Sequence, residues 1–240
     1  MRLLTWDSAP PGYEVTFATR DGGVSEGDFC SLNLGLLTDD EPERVVENRR
    51  RLCEARGLDP DHGSMAYQVH GARVEEAQPL GLVSPGTRYP ACDGLVTSQR
   101  GLALLLVTAD CLPIALARTT GGPRLTVLHV GWRGLLAGIA AAGVDALCGK
   151  AVAAIGPGIG PCCYEVDEEV AAPFRYRFGD EVVPEGHLDL PLAAELALRE
   201  AGVTEIERSP HCTACEPKLF FSHRRDQGRT GRQGVVAALA

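Results

Sequence analysis

The stretch 108–133 constrains the fold most strongly, because in it buried-strand patterns alternate with reactive side chains. Three apolar runs in and beside this stretch are long enough for strands buried on both faces and too short to span a membrane. Cys111 follows the first run, and His129 lies near the end of the third. Because binding sites commonly form where strands pass into loops, we expect the chemistry of the chain here. The runs are residues 102–107, 112–117 and 125–130.

Helical and strand patterns alternate along the rest of the chain, which predicts a layered α/β fold. The predicted helices cover residues 41–56, 133–148 and 190–201. Further strands are predicted at residues 13–19, 64–69, 73–77, 95–96, 152–155 and 204–208. We expect the strand at 73–77 to pair with the strand at 64–69, and residues 79–90 to form a loop without a chemical signature. The chain has 240 residues, 45% of them hydrophobic, so we expect a single domain over residues 1–240.

Charge and cysteine content narrow the classes of partner. A net charge of −9 gives no general attraction to nucleic-acid phosphates or to anionic membranes. The first residues lack the zones of a signal peptide, and no apolar run has the length of a membrane span. Nine cysteines, an odd number, argue against a complete disulfide framework and favour reduced thiols in the cytoplasm. We therefore expect a cytoplasmic monomer or small homo-oligomer.

A second group of cysteines follows no complete metal-binding pattern. Cys212 and Cys215 form one C-x-x-C pair, which alone is weak evidence for a structural zinc site. Cys162 and Cys163 could supply two further ligands if the fold brought them near. From spacing alone, reduced structural thiols are the favoured interpretation.

Two arginines are candidate anion ligands. Arg49 follows Val45 by four residues and precedes Leu52 by three, so it lies on the apolar stripe of the predicted helix 41–56. An arginine on a core-facing stripe must be paired or lie at a cavity, and a structural ion pair is the alternative to anion binding. Arg20 borders a loop rich in Gly, Ser and Asn whose backbone N–H groups could bind an anion. An ordinary connection with a solvated arginine is the alternative there.

His70 completes a set with Cys111 and His129. Alone, His70 would more often be a structural histidine. The spacings between the three residues are too long for a zinc-finger pattern, so the fold would have to bring them together. If it does, one thiolate and two neutral imidazoles could bind zinc tetrahedrally and leave a fourth position open.

Several motifs together resemble those of the laccase-domain purine nucleoside phosphorylase family, also called YfiH-like or polyphenol-oxidase-like. In chain order they are TRDGGVS (residues 19–25), SLNLG, ENRR, QVHGARV, TADCLPI, HVGWRG, GPGIGPCCYEV and FFSHRR. The resemblance covers nearly the whole chain and implies an α-β-β-α sandwich with mixed sheets in one domain. It also implies that His70, Cys111 and His129 bind a catalytic zinc ion and that Arg49 belongs to the active site. One departure is His223, where the family tends to have tyrosine.

The resemblance further implies purine nucleosides and phosphate as substrates. Family members are described as phosphorolysing adenosine, inosine, guanosine and methylthioadenosine and as deaminating adenosine. Our hypothesis is that water activated at zinc attacks C6 of adenosine, with Asp110 as the candidate proton shuttle. In phosphorolysis, phosphate held by Arg49 or Arg20 would attack C1′ of the ribose.

Three other functions stay open from sequence. Cys111 could be a nucleophile with His129 as its base in a metal-free amide hydrolase. Some relatives are labelled peptidoglycan-editing factors, and that resemblance implies peptidoglycan precursors as its substrates. A copper polyphenol oxidase ranks last, because multicopper chemistry needs many histidines and the chain has six, none in a His-x-His pair. A binding protein with a purely structural zinc site would have four protein ligands and no open position.

Overall fold

Two mixed β-sheets form the middle of the molecule. A computed structural model of the chain describes residues 1–83 and 87–240. In these residues the strands are β1 (Leu3–Thr5), β2 (Tyr13–Ala18), β3 (Gly63–Met65), β4 (Val74–Glu76), β5 (Gly94–Thr97), β6 (Ala103–Thr108), β7 (Leu112–Arg118), β8 (Leu125–Val130), β9 (Ala151–Ile155), β10 (Ile206–Arg208) and β11 (Gln233–Leu239). The α-helices are α1 (Pro42–Glu54), α2 (Trp132–Leu136), α3 (Ile139–Leu147), α4 (Glu168–Phe178) and α5 (Leu190–Glu200).

The two sheets differ in strand order and in pairing. The first sheet has the order β1-β2-β11-β6-β3 and is antiparallel except for the parallel pair of β3 and β6. The second sheet has the order β10-β9-β7-β8-β5-β4, with parallel pairs at both edges and antiparallel strands between them. The prediction of a layered α/β fold with mixed sheets is therefore confirmed.

Alternating side chains of the central strands bury both faces of each sheet. On β7, Leu112, Ile114 and Leu116 pack towards the helices, whereas Ala115 and Ala117 pack between the sheets. On β6, Leu104 and Leu106 face the space between the sheets, and Ala103 and Leu105 pack on the side of α1. Residues of α2 to α5 cover the outer face of the second sheet. The layers are thus helix, sheet, sheet and helices, and the unbroken apolar runs follow from burial on two sides.

The structure differs from the sequence-based assignment at several elements. β4 pairs with β5 in the second sheet, whereas β3 lies in the first, so the predicted pairing of 73–77 with 64–69 is wrong. The predicted helix 133–148 is two helices, because Gly138 between α2 and α3 adopts a left-handed backbone with φ of 94°. The sequence analysis leaves α4 and the central strand β11 unassigned. Of the loop predicted at 79–90, residues 84–86 lie outside the described residues.

None of the helices in the described part of the chain is both long and apolar enough to cross a bilayer.

Candidate metal and substrate site

His70, Cys111 and His129 meet at one end of the second sheet. Cys111 lies in the turn between β6 and β7, and His129 lies in β8 opposite Pro113 of the neighbouring β7. His70 comes from the connection between β3 and β4. Their ligand atoms, two ring nitrogens and one sulfur, all lie within 4.8 Å of one another. The fold thus brings together three side chains that are far apart in sequence.

The two imidazoles are arranged edge to face. The ring centroids of His70 and His129 are 4.8 Å apart, and the ring planes make an angle of 78°. Both rings are within hydrogen-bonding reach of the Cys111 sulfur. This packing directs the three donor groups towards a common point.

Asp93, immediately before β5, fixes both histidines. Its buried carboxylate accepts a hydrogen bond from Nδ1 of His129 at 2.8 Å. It also accepts from the backbone N–H groups of Val69, His70 and Gly71 at 3.2, 2.9 and 2.7 Å. Since Nδ1 of His129 donates to an ionised carboxylate, Nε2 is the nitrogen left to bind a metal ion once it has lost its proton. Burial tends to raise the pKa of Asp93, but these hydrogen bonds outweigh it and lower the pKa below its usual value.

Left-handed backbone conformations occur at two residues of the site. His70 has φ of 60° and Asp110 has φ of 89°, a conformation that non-glycine residues rarely adopt. The three hydrogen bonds to Asp93 hold the turn at His70. The Asp110 carboxylate accepts from Thr213 Oγ1 at 2.6 Å and from the backbone N–H of Arg224 at 2.7 Å. These contacts hold the turn that presents Cys111, and the role of Asp110 as a proton shuttle stays a prediction.

The protonation of Cys111 and His129 is coupled. Burial alone would raise the pKa of the Cys111 thiol, but the adjacent His129 and His70 lower it to about 6. Burial would lower the pKa of His129, but the Cys111 thiolate and the Asp93 carboxylate raise it to about 9. The thiol therefore readily becomes the thiolate, which is the form that binds a metal ion or attacks a carbonyl group.

Gly131 leaves room for the ligand atoms. A Cβ atom at this position would lie 2.9 Å from Cys111 Sγ and 3.2 Å from His70 Cδ2. Its backbone, with φ of −93°, is one that other residues can adopt. The absence of a side chain is therefore required by space and not by backbone conformation.

This donor set fits a zinc ion. Two imidazoles and one thiolate are ligands that zinc accepts, and catalytic zinc sites have three protein ligands and one open position. His129 has the carboxylate partner that orients metal-binding histidines in such sites. All three residues also line a large cavity, so an ion among them could reach a ligand in that cavity.

The cavity has a volume of about 1020 Å³ and is large enough for a nucleoside and an anion. Its wall combines apolar and aromatic side chains with several cationic ones. Tyr164 is one of the aromatic groups, and burial raises the pKa of its hydroxyl to about 12, so it stays a hydrogen-bond donor. The guanidinium of Arg224 lies 5.0 Å from the centroid of that ring.

Arg49 lines the cavity, but its guanidinium donates hydrogen bonds to the protein backbone. Only 2% of its surface is exposed, as its position on the apolar stripe predicted. Its Nε donates to the carbonyl oxygen of Leu34 and its NH1 to that of Leu82, both at 2.9 Å. Burial lowers the pKa of Arg49 to about 10, so the group stays cationic at neutral pH. These bonds account for the buried guanidinium, and its role in anion binding stays a prediction.

Arg20 is placed differently, since it is not among the described residues that line the cavity. Its side chain donates to the carbonyl oxygens of Cys30 and Pro217, both at 2.8 Å. The guanidinium also lies 4.5 Å from the ring centroid of Phe221. These contacts join two loops, and phosphate binding by Arg20 likewise stays a prediction.

Two further residues of the site were not predicted from the sequence. Asp93 precedes Gly94, a pair typical of turns, and nothing in its local sequence links it to the histidines. Arg232 was not considered, yet it lines the cavity near Cys111 and Asp110. Burial lowers its pKa, and the negative charges of Asp110 and Cys111 oppose that shift. A basic residue immediately before the last strand, β11, was the available signal.

The chain is similar to known proteins over most of its length. A family model described as multi-copper polyphenol oxidoreductase laccase matches residues 14–240. Purine nucleoside phosphorylase YlmD of Geobacillus stearothermophilus is 39% identical over an alignment of 250 positions. The alignment covers 93% of this chain and 90% of the relative. Purine nucleoside phosphorylase PA4543 of Pseudomonas aeruginosa is 38% identical over 235 residues, with 93% and 92% covered.

A solved structure shows the same fold. The crystal structure of the hypothetical protein YfiH of Bacillus licheniformis superposes with a TM-score of 0.89 and 34% identity. The match covers 95% of this chain and 93% of that chain. Since the family model and the relatives both match over most of its length, this chain belongs to the laccase-domain, YfiH-like family.

Proposed function

We propose that the protein is a zinc-dependent purine nucleoside phosphorylase that also deaminates adenosine. The observation that carries this proposal is the convergence of His70, Cys111 and His129 on the wall of the 1020 Å³ cavity. Relatives that match over most of the chain are named purine nucleoside phosphorylases. The proposed substrates are adenosine, inosine, guanosine and methylthioadenosine, together with phosphate.

Zinc is proposed over copper because neither reaction transfers electrons. A zinc ion held by the three residues would supply a Lewis acid beside the bound substrate. In the described residues, the other cluster of potential metal ligands contains cysteines and no histidine. Multicopper oxidase chemistry, which the family description mentions, uses several histidine-rich sites. The ligand types therefore support a redox-inactive ion.

The residues around the triad would orient the substrates. Asp93 holds the ring of His129 and the backbone of His70, so their positions are set before a ligand binds. Arg232 is a further candidate cation for phosphate, because it lines the cavity and interacts electrostatically with Cys111. Arg49 adds positive charge to the same cavity, and Arg20 is kept as a more remote candidate.

Both proposed reactions balance without a redox partner. In phosphorolysis, a phosphate oxygen forms a bond to C1′, the N-glycosidic bond breaks, and the purine leaves with its electron pair and takes up a proton. The products are a free base and ribose 1-phosphate. In deamination, water adds at C6 of adenosine and ammonia leaves, which gives inosine. A cytoplasmic location and a monomeric or small homo-oligomeric state are parts of the same proposal.

Product analysis tests the proposal. Zinc-loaded protein is incubated with adenosine in the presence and absence of phosphate, and the products are separated by chromatography. We expect inosine as the product without phosphate, and adenine, hypoxanthine and ribose 1-phosphate in addition when phosphate is present. Cys111→Ala should abolish both activities, and Cys148→Ala, which removes an exposed thiol outside the triad, should leave them unchanged. Full activity of Cys111→Ala would refute the proposal.

A cysteine amide hydrolase acting on peptidoglycan precursors is the second candidate. The observation that favours it is the series of hydrogen-bonding groups Cys111, His129 and Asp93, which matches the order of a nucleophile, a base and an orienting carboxylate. This enzyme would keep its activity after chelation and lose it on alkylation of Cys111. The phosphorylase would be inactivated by the chelator and restored by zinc.

A further inference from the structure

A second cluster of metal ligands lies apart in the chain from the triad. The sulfur atoms of Cys162, Cys163, Cys212 and Cys215 all lie within 4.8 Å of one another. Cys215 Sγ is 3.3 Å from the sulfur atoms of both Cys162 and Cys163. A C-x-x-C pair and an adjacent Cys-Cys pair, separated by a long stretch of sequence, are therefore brought together by the fold.

Two tight turns present these thiols to each other. Cys163 N–H donates to the carbonyl oxygen of Gly160 at 3.1 Å and closes the first turn. An isolated parallel bridge joins Gly158 to Cys212, and Thr213 N–H donates to the carbonyl oxygen of Gly158 at 3.0 Å. These backbone contacts fix the two turns side by side before any ion binds.

The spacing suits one tetrahedral ion. Zinc binds thiolates at about 2.3 Å, so the sulfur atoms of a regular four-thiolate site are about 3.8 Å apart. The upper limit of 4.8 Å and the two separations of 3.3 Å bracket this value. Small movements of exposed side chains would reach it, because Cys162 and Cys215 are both exposed.

Backbone N–H groups also face the cluster. Gly160 N–H donates to Cys212 Sγ at 3.3 Å, and Ala214 and Cys215 present backbone N–H groups to the same sulfur. Four thiolates around Zn²⁺ carry a net charge of about −2, which N–H donors offset.

We propose that Cys162, Cys163, Cys212 and Cys215 bind a second zinc ion as a structural tetrathiolate site. Each thiol gives up its proton to solvent as its sulfur binds the ion, and no electron is transferred. The site has no open position for a substrate, unlike the triad. The proposal is independent of the proposed nucleoside chemistry.

The second site would brace the wall of the large cavity. Tyr164, next to Cys163, lines that cavity, and Thr213, next to Cys212, donates to Asp110 beside Cys111. The cysteine cluster is the point where the two loops that carry these residues meet. A zinc ion there would crosslink the loops in a reducing compartment, where a disulfide does not persist.

Zinc stoichiometry tests the proposal. The wild type, Cys215→Ser, Cys111→Ser and the exposed-thiol control Cys148→Ser are purified with reductant and without chelator, and zinc is measured by plasma mass spectrometry. We expect about two zinc ions per chain in the wild type and the control, and about one in each of the other variants. Cobalt substitution identifies which ion remains, because four thiolates give much stronger sulfur-to-metal absorption than one. The strong absorption should persist in Cys111→Ser and vanish in Cys215→Ser.

Two results would overturn the proposal. One is a wild type with no more than one zinc ion, which Cys215→Ser retains and Cys111→Ser loses. The other is a disulfide from Cys215 to Cys162 or Cys163 in the preparation made with reductant. Mass spectrometry would show it as two linked peptides that have lost the two thiol hydrogens. If the cysteine cluster binds no zinc, the triad can still hold one ion that Cys111→Ser removes, so the two proposals are separable by the zinc count.

A measurement on the wild type covers the case in which Cys215→Ser does not fold. Zinc-loaded protein is treated with iodoacetamide, and the modified peptides are mapped by mass spectrometry. The exposed Cys148 should react at once, whereas the exposed Cys162 and Cys215 should react only after chelation. Equal reaction of all three thiols with zinc present would also overturn the proposal.

Discussion

Asp93 makes more contacts with the candidate site than its position beside a turn suggests. A single carboxylate orients the ring of His129 and fixes the backbone at His70 through three N–H donors. Loss of its charge would therefore disturb two of the three proposed metal ligands at once. Replacement of a carboxylate that orients a metal-binding histidine typically lowers metal affinity by about 10-fold to 100-fold.

Asp93→Asn tests this dependence. The amide keeps the shape of the side chain but removes its charge and places an NH2 group against donors that need an acceptor. We expect the affinity of the triad for zinc to fall by about 10-fold to 100-fold, measured by competition with a chelating dye. Asp39→Asn, at an exposed position, is the control and should keep full affinity. Unchanged affinity in Asp93→Asn would mean that the carboxylate serves only the fold.

Gly131→Ala probes the space around the donors without removing any of them. The added methyl group would lie 2.9 Å from Cys111 Sγ, so the sulfur or the helix start must move. Displacement of a reacting group by about 1 Å costs about 100-fold in rate, and we expect a loss of that order in kcat/KM. In Gly122→Ala the methyl group would meet only Arg118 NH2 at 3.6 Å, which is ordinary contact. Equal activity of both variants would show that the site tolerates the shift.

The site residues differ in how far the sequence could predict them. Cys111 and His129 stood out because apolar strand patterns end beside them. His70 did not; its residue type grouped it with the other two as a possible ligand, and the family resemblance implied that the three share one site. Asp93 precedes a glycine, and Asp-Gly is a turn signal, so its local sequence explains its place before β5 without its contacts with the histidines. Those contacts join residues that are distant in sequence, so the spacing of residues could not predict them.

At the scale of elements, the strands β5, β8 and β7 are adjacent in the second sheet and position the site. The order of these strands could not be predicted, because pairing joins residues that are distant in sequence. The apolar runs that became β6, β7 and β8 were predicted well, since burial on both faces leaves a clear pattern. α4 was missed because Pro173 lies inside it and charged residues flank it.

Arg49 lies in helix α1, and its guanidinium donates hydrogen bonds to the carbonyl oxygens of Leu34 and Leu82. Arg49→Leu keeps the apolar stem but leaves both buried acceptors without this donor. We expect the free energy of unfolding to fall by about 3 kcal/mol, measured by urea denaturation. Arg50→Leu, on the exposed side of the same helix, should change it by less than about 0.5 kcal/mol. An Arg49→Leu variant of normal stability that binds phosphate weakly would instead make Arg49 a ligand-binding residue.

At the scale of the molecule, the two sheets share one apolar layer. Side chains of β2, β6 and β11 in the first sheet pack against those of β7, β8 and β9 in the second. Neither sheet could therefore lose its structure without exposing the inner face of the other. This shared layer supports the prediction of a single domain over residues 1–240, which stays a prediction until unfolding is measured.

The two tryptophans of the chain can test this prediction, because they report on different layers. Trp6 packs in the layer between the sheets, and Trp132 packs on the outer face of the second sheet. We expect Trp6→Phe and Trp132→Phe, each with one remaining tryptophan that is excited selectively, to unfold in a single transition in urea. In each variant the fluorescence midpoint should coincide with its own far-ultraviolet dichroism midpoint, which removes any effect of the substitution on stability. Separate midpoints within one variant would show that the layers unfold independently and would contradict the single domain.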